Sequence, residues 1–422
     1  MWIVAPVRVL LLNQFFHPDH SATSQIATDL AEDLVSSGIE VTALAGRGSY
    51  LGGQQLSARD EHRGVQIVRA SATSLGKRTL LHRGIDYASF YATAGAALAR
   101  LPRHDVVIAM TTPPLIAAAA AALKGPKRSR LLYWVQDLYP EVAVAFGALG
   151  PRSPMTRMMA ATSRAVMRRS DRVVALGEVM GERCVAAGAD PERVTVIPNW
   201  ADGEAVRPVE HANNGLREEL ARGARTVVMY SGNMGRAHDI GTLLDAARLL
   251  RDRADVAFVF IGDGAKKAEV EAAARELPNV RLAPYQPRER LSESLSAGDI
   301  HLIGLSPEIE GLIEPSKLYG VMAVGRPALF VGPERSEVAR TIVRHDCGRV
   351  LRNGDADGLA GAVRELADAP DARAASGARA ASGARARAAL ETHYTRRVAT
   401  ARFKGLLDEL CAEPDVVGAA IA

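Results

Sequence analysis

Three clusters in this chain combine glycine, cations and carboxylates in patterns suited to anion or sugar chemistry. The run Tyr230-Ser231-Gly232-Asn233-Met234-Gly235-Arg236 closes a β-rich segment and leads into a helical one. Its glycines let backbone N–H groups approach a ligand. The helix start behind them offers unpaired N–H groups and a positive dipole end, and Arg236 adds a cation suited to phosphate. A plain tight turn would use the same glycines. Ile261-Gly262-Asp263-Gly264 follows the next β-rich run, and Asp263 there reads as a turn residue. In the third cluster, Glu308, Glu310 and Glu314 occupy a loop and Pro315-Ser316-Lys317 opens a helix. Proline suits a first helical turn. Lys317 there opposes the helix dipole at a cost of roughly 0.3–1 kcal/mol, and a bound phosphate would remove that conflict. The carboxylates would accept hydrogen bonds from sugar hydroxyls; a solvated charged loop has the same composition.

In the first half, Trp134-Val135-Gln136-Asp137-Leu138-Tyr139-Pro140-Glu141 follows an apolar strand pattern. Asp137 either faces a ligand cleft or caps the next turn. His17 and His20 follow the first strand, but no third ligand is evident, so a metal site is excluded there. The place after the first strand reads Asn13-Gln14-Phe15-Phe16-His17-Pro18, without the G-x-G-x-x-G of a dinucleotide-binding dehydrogenase. No Walker A motif occurs, and no G-x-S-x-G nucleophile elbow.

Short apolar runs alternating with helical patterns must position these residues. Strands are predicted at 7–12, 39–44, 65–70, 105–110, 130–135, 171–176 and 193–197, and then at 225–231, 255–261, 279–282, 299–304 and 327–331. Helices fit between most of them, which argues for parallel sheets covered on both faces. Turn formers over 199–224 place a linker there, so two doubly wound halves are expected, with ligands at the carboxyl ends of their strands. Residues 371–389 carry the repeat ARAASG-ARAASG-ARARAA, which reads as an exposed Ala/Arg helix or a mobile surface segment. An amphipathic pattern from Tyr394 to Cys411 predicts a terminal helix docked on the body.

Composition sets the outer bounds. With 422 residues, 48% of them hydrophobic, the chain is long enough for two domains of about 200 residues. The net charge of +4 is too small for bulk nucleic-acid binding. It is uneven: residues 1–200 hold 22 Lys/Arg against 16 Asp/Glu, so this half is expected to meet something anionic. Cys184, Cys347 and Cys411 are odd in number and far apart, which argues against a disulfide scaffold and for a reducing cytoplasm. No signal peptide is expected from the first residues. The uncharged run Val106–Leu123 is cut by Thr111-Thr112-Pro113-Pro114, so a strand, a break and an Ala-rich helix are expected instead of a membrane span.

Taken in order, these motifs resemble the retaining GT-B glycosyltransferases of family 4, above all the bacterial branch that builds cell-surface polysaccharides and O-antigens on lipid carriers. The carrying residues are Asp137-Leu138-Tyr139-Pro140-Glu141, Ile197-Pro198-Asn199-Trp200, Ser231 to Asp239, Gly262-Asp263-Gly264, and Pro315 to Gly320 with Gly325-Arg326-Pro327. The resemblance implies an α/β fold of two facing Rossmann-like doubly wound domains with a deep cleft between them. Residues 1–205, completed by a helix at 394–415, would bind the acceptor, and residues 206–393 the nucleotide-sugar donor. It implies no metal and no cofactor. Gly232, Asn233, Gly235, Arg236, Gly262, Tyr285, Glu310, Glu314, Pro315, Ser316 and Lys317 would form the donor site. His17, His20, Ser24 and Asp137 would meet the acceptor, and Asp137, Arg236 and Lys317 would serve catalysis.

Two departures stand out. Many members have Lys-Gly where this chain has Asp239-Ile240, so Arg236 and Lys317 must carry more of the phosphate charge. Many also have two glutamates that would fall at Leu312 and Gly320; Glu310 or Glu314 could serve for the first, and the second has no replacement. The expected reaction is sugar transfer from a UDP-sugar, in preference to a GDP-sugar, to a lipid-linked glycan. Between Val142 and Ser170, Arg152, Arg157, Arg164, Arg168 and Arg169 alternate with methionines and no acid, a pattern suited to an anionic membrane surface or to a solvated basic helix. Alternatives on the same architecture are a UDP-GlcNAc 2-epimerase-like isomerase and an inactive nucleotide-sugar-binding subunit.

Overall fold

The structure, a computed structural model, describes residues 6–48, 55–71, 80–368 and 372–412. The chain forms two compact units. Unit 1 runs to Pro198 and resumes at Arg397, and unit 2 is Asn199–Arg396.

Unit 1 contains β1 (Arg8–Leu12), β2 (Glu40–Gly46), β3 (Arg59–His62), β4 (Val65–Ala70), β5 (Val106–Ala109), β6 (Arg130–Trp134), β7 (Arg172–Ala175) and β8 (Val194–Val196). Their order in the sheet is β3-β4-β2-β1-β5-β6-β7-β8. All neighbours are parallel except β3, which runs antiparallel to β4. The unbroken apolar runs became central strands covered on both faces. β3 reads Arg-Asp-Glu-His, so no hydrophobic pattern announced it; it is a charged edge strand. The run from Val106 does split into β5, a proline break and the helix Ala117–Lys127. No described helix is long and apolar enough to cross a membrane.

Unit 2 contains β9 (Thr226–Ser231), β10 (Val256–Ile261), β11 (Val280–Ala283), β12 (Ile300–Gly304), β13 (Ala328–Val331) and β14 (Gly348–Leu351). The sheet is parallel, in the order β11-β10-β9-β12-β13-β14, which is the doubly wound Rossmann arrangement. Tyr230, Phe258, Phe260 and Leu302 are buried on one side of it under the helices Ile240–Leu249 and Ala356–Asp368.

The crossings between units lie at 198/199 and 396/397, not at the expected 205/206 and 393/394. Ala201 pairs with Thr395 in a parallel bridge, and Arg387 donates to the carbonyls of Gly203 (2.8 Å) and Val206 (3.1 Å), so these residues are fastened to unit 2. Gly215–Ala221, within the expected linker, is a helix that buries Leu216 and Leu220. The last helix is Arg396–Ala412, preceded by a π-helical turn at Leu390–Tyr394; residues 413–415 of the predicted helix lie outside the described residues. In unit 1 Phe403 of this helix packs on Trp134 at 4.6 Å between ring centroids, and the Thr400 hydroxyl donates to Asp33 at 2.9 Å.

Within the Ala/Arg repeat, Ala372–Ala389 is one helix, as one of the two readings expected, and Ser382, Ala386 and Ala389 are buried. A Cβ on Gly383 would lie 2.0 Å from the carbonyl oxygen of Gly325, whereas Gly377, its counterpart in the other copy, has no neighbour within 4 Å. Only the second glycine lets two backbones touch.

Candidate functional site

In unit 2, β9 and β12 share register only at Val228↔Ile300 and Met229↔His301. Past these pairs the strands part, and the chain winds away on opposite sides, which is where doubly wound sheets open a crevice. The loop after β9 and the loop after β12 meet there, with the Ser306 N–H donating to Ala237 O at 2.8 Å. The loop after β10 lies against the first so closely that only glycine fits. A Cβ on Gly262 (φ +137°) would stand 2.1 Å from Gly232 O, and one on Gly264 (φ +149°) 2.5 Å from the Met234 carbonyl carbon. The glycines after β9 and β10 thus serve backbone approach.

Lys317 opens the helix Lys317–Ala323 and reaches back into this loop pair. Its Nζ donates to the Tyr230 hydroxyl (2.6 Å), the Asn233 carbonyl (3.1 Å) and Nε2 of His238 (3.0 Å), and stands 4.5 Å from the Tyr230 ring centroid. A Cβ on Gly232 (φ +128°) would lie 2.6 Å from Lys317 Cε, so this glycine clears the path of the lysine stem. None of the three acceptors is charged. Burial holds the ammonium down, from 10.5 to about 7. His238 donates its Nδ1–H to Gly304 O at 2.8 Å, which leaves Nε2 as a lone-pair acceptor. Burial and the charge of Lys317 push this imidazole down to about 3, so it stays neutral. Lys266, from the loop after β10, donates to His238 O at 2.7 Å and brings a second lysine to the same loop.

The helix behind the glycine turn carries an acid at its start. It begins at Ile240, and Asp239 caps it: Oδ1 accepts from the Thr242 N–H at 3.1 Å, and Oδ2 from the Thr242 hydroxyl at 2.7 Å. A carboxylate already meets the positive end of that helix. Arg236 is exposed, three residues past Asn233 on the same loop.

The remaining donor candidates divide. Gly232, Asn233, Gly235, Gly262, Tyr285 and Lys317 interlock. Tyr285 leaves 48% of its surface open, and its ring edge approaches Gly262, 3.3 Å from where a Cβ would stand. Pro315 is buried, and Ser316 makes no side-chain cap bond. Glu310 is half-buried. Glu314 is buried beside Glu337, and neither of its carboxylate oxygens has a hydrogen-bond partner among the described residues. Burial, with the charge of Glu337, raises it to about 8, so at neutral pH it is a carboxylic acid. At Gly320, a Cβ would meet Leu295 Cδ1 at 3.2 Å; the position lies against the helix Leu291–Ser296.

In unit 1, Asp137 follows β6, and its backbone N–H donates to the Thr111 hydroxyl at 3.2 Å. Its carboxylate has no hydrogen-bond or ion-pair partner among the described residues, and desolvation raises it to about 6. The three other acceptor candidates differ in surroundings. His17 stacks on His62 at 3.6 Å, with His62 bonded to Glu32, and burial lowers its pKa; His20 is exposed; Ser24 is wholly buried in the helix Ala22–Ser36.

Two families match this chain in succession. Residues 22–200 match the glycosyl transferase 4-like domain, and residues 225–369 match glycosyl transferases group 1. The chain is a glycosyltransferase built from these two domains. It is similar to "Probable glycosyltransferase WbjE" of Pseudomonas aeruginosa, with 28% identity over 320 residues, 75% of this chain and 78% of that protein. Its fold matches Alr3699/HepE of Anabaena in complex with UDP (TM-score 0.70, 13% identity, 96% of this chain and 100% of that one). It also matches WaaG, a glycosyltransferase involved in lipopolysaccharide biosynthesis (TM-score 0.67, 16% identity, 96% and 100%).

Sequence reasoning on this glycosyltransferase missed Tyr230, His238, Lys266 and Glu337. Tyr230 and His238 stand inside quoted motifs, but their roles depend on Lys317, some eighty residues away. Lys266 and Glu337 gave no signal beyond a lysine after a glycine turn and an acid after a capping serine. The glycosyltransferase also presents the helix Pro154–Arg169 with Thr156, Ser163, Val166 and Met167 inward. Met155 (49%) and Met158 (57%) are exposed beside Arg157, Arg164 and Arg168. Among the described residues, none of Arg152, Arg157, Arg164, Arg168 and Arg169 pairs with a carboxylate; Arg169 donates to Ala121 O at 3.0 Å.

Proposed function

We propose that this glycosyltransferase moves a sugar, with retention, from a UDP-sugar held by unit 2 to a lipid-linked glycan met by unit 1, in the synthesis of a bacterial cell-surface polysaccharide. The observation that carries the reading is the Lys317 ammonium, set among neutral acceptors at the parting of β9 and β12, beside a glycine loop that bears Arg236. A desolvated cation that has no carboxylate partner among the described residues is poised to receive an anion. The UDP found with HepE supports a uridine donor, and the role printed for WaaG supports a surface glycan.

In this reading Arg236, Lys317 and the N–H groups near Gly232 stabilise charge on the departing diphosphate, while Tyr285 offers an open ring to the base. Donors aimed at growing charge contribute about 10²–10³ each in rate. The bond from the sugar C1 to the diphosphate oxygen breaks, and a bond from C1 to the acceptor oxygen forms on the same face. The acceptor proton passes to the leaving phosphate oxygen, so no protein nucleophile is consumed. Asp137 positions the acceptor hydroxyl. Side-chain cations take the part a divalent metal would otherwise play, so EDTA leaves turnover unchanged. The Arg/Met helix Pro154–Arg169 rests on an anionic leaflet, each basic residue near the surface adding about 1 kcal/mol.

A calorimetric panel tests the reading. UDP binds and GDP binds at least tenfold more weakly, as expected for a uridine donor; equal affinity for both, or for neither, breaks the donor assignment. Flotation with anionic liposomes tests the surface: capture is expected at low salt and loss at high salt, and absence of salt-sensitive capture removes the membrane claim.

A further inference from the structure

We propose that His238 is the positioning residue for Lys317, setting the direction of its ammonium through a fixed imidazole tautomer. The inference rests on the reading that Lys317 meets the donor diphosphate.

An ammonium has three N–H donors, and here all three are used, on Tyr230 Oη, Asn233 O and His238 Nε2. Two of the acceptors are anchored. Tyr230 is wholly buried on β9, and its hydroxyl donates in turn to Asn233 O at 2.7 Å. His238 is buried, and its Nδ1–H is committed to Gly304 O, the last residue of β12. That bond leaves only a lone pair at Nε2. The ring therefore accepts from a cation and cannot donate to one.

Gly304 completes the anchor. A Cβ there would lie 2.7 Å from Asp239 O, so only glycine lets the strand end come close enough for its carbonyl to reach the imidazole. The lysine is thus clamped between a phenol from β9 and an imidazole tied to β12, across the point where those strands part.

The third acceptor differs. Asn233 is exposed, its contact with Lys317 is the longest of the three, and its carbonyl keeps the Tyr230 hydroxyl when the lysine leaves. An arriving phosphate oxygen replaces Asn233 O on Lys317, while Tyr230 and His238 keep the ammonium in place. Donor binding becomes the exchange of one acceptor instead of the reorientation of a flexible side chain.

A double-mutant cycle read by UDP titration tests this, with uridine as control. Lys317→Met weakens UDP and leaves uridine unchanged. His238→Leu weakens UDP roughly tenfold in the wild-type background and has no further effect in Lys317→Met. His238→Gln, whose Oε1 can stand in for the Nε2 lone pair, restores most of the affinity; His238→Asn, too short to reach, does not. An equal His238→Leu loss in both backgrounds, or an equal loss for uridine, makes the histidine a packing residue and overturns the proposal. Wild-type UDP affinity in Lys317→Met overturns the underlying reading of Lys317 instead. If His238→Leu does not fold, the Gln and Asn variants decide: equal UDP affinities overturn the proposal.

Discussion

Each unit places one ionisable side chain beyond the carboxyl end of its sheet, and desolvation moves both toward neutrality from opposite sides. Asp137 in unit 1 rises to about 6, and Lys317 in unit 2 falls to about 7. Their surroundings differ. Lys317 uses all three of its N–H groups on neighbours from β9 and its loop, whereas among the described residues the Asp137 carboxylate has no partner and its backbone is held on Thr111. An ammonium on a flexible stem needs neighbours to hold its direction. A carboxylate on a short side chain is aimed by its backbone. The contrast fits the two tasks proposed: a donor leaving group whose phosphate must be met at a fixed point, and an acceptor that is positioned through a waiting carboxylate while its reacting hydroxyl faces the phosphate.

The strongest way to break this contrast is to remove both charges separately. Lys317→Met is expected to lower kcat/KM for the donor by about 10²–10³. Asp137→Asn is expected to lower kcat by about 10² while UDP affinity stays at the wild-type value. If both variants lose UDP affinity alike, the division of labour between the units is wrong.

A smaller change sharpens the unit 2 side. Gly232→Ala puts a Cβ 2.6 Å from Lys317 Cε at φ +128°, so the lysine stem must shift. UDP affinity is expected to fall roughly tenfold, and stability by about 1 kcal/mol or more from the positive φ alone. Calorimetry and thermal unfolding read the two separately; an unchanged UDP affinity removes the stem from the account.

The mildest effect is in pH. Above about 7, Lys317 loses its proton and the site loses positive charge, so kcat/KM for the donor falls as pH rises. Below about 6, Asp137 gains a proton, so kcat/KM for the acceptor falls as pH drops. Lys317→Met should flatten the alkaline limb and Asp137→Asn the acid limb in a profile of the free enzyme.

The alternation of apolar runs and helical patterns was enough to place twelve of the strands, because a strand buried on both faces must be apolar along its whole length. It failed at β3, whose four polar residues pair at an edge, and at β14, which follows a run of alternating charge. The linker expected over 199–224 does begin where unit 1 ends, but its first residues are fastened by Arg387 and Thr395, partners far along the chain. At the site, the glycines and Lys317 were legible because their types carry chemistry. Asp239, which stands where many members have a lysine, is the cap of the helix after the glycine turn, a role its type suits but its place in the motif did not announce.

By itself, then, the sequence determined two doubly wound halves and the glycine, cation and acid motifs at their strand ends, since these follow from local periodicity and residue type. Tertiary structure alone decided what each charge faces. Lys317 meets Tyr230 across 87 residues and His238 across 79, and Glu314 lies beside Glu337, because the order β10-β9-β12-β13 brings those strand ends together. Desolvation and hydrogen-bond satisfaction depend on neighbours in space, and no spacing along the chain encodes them.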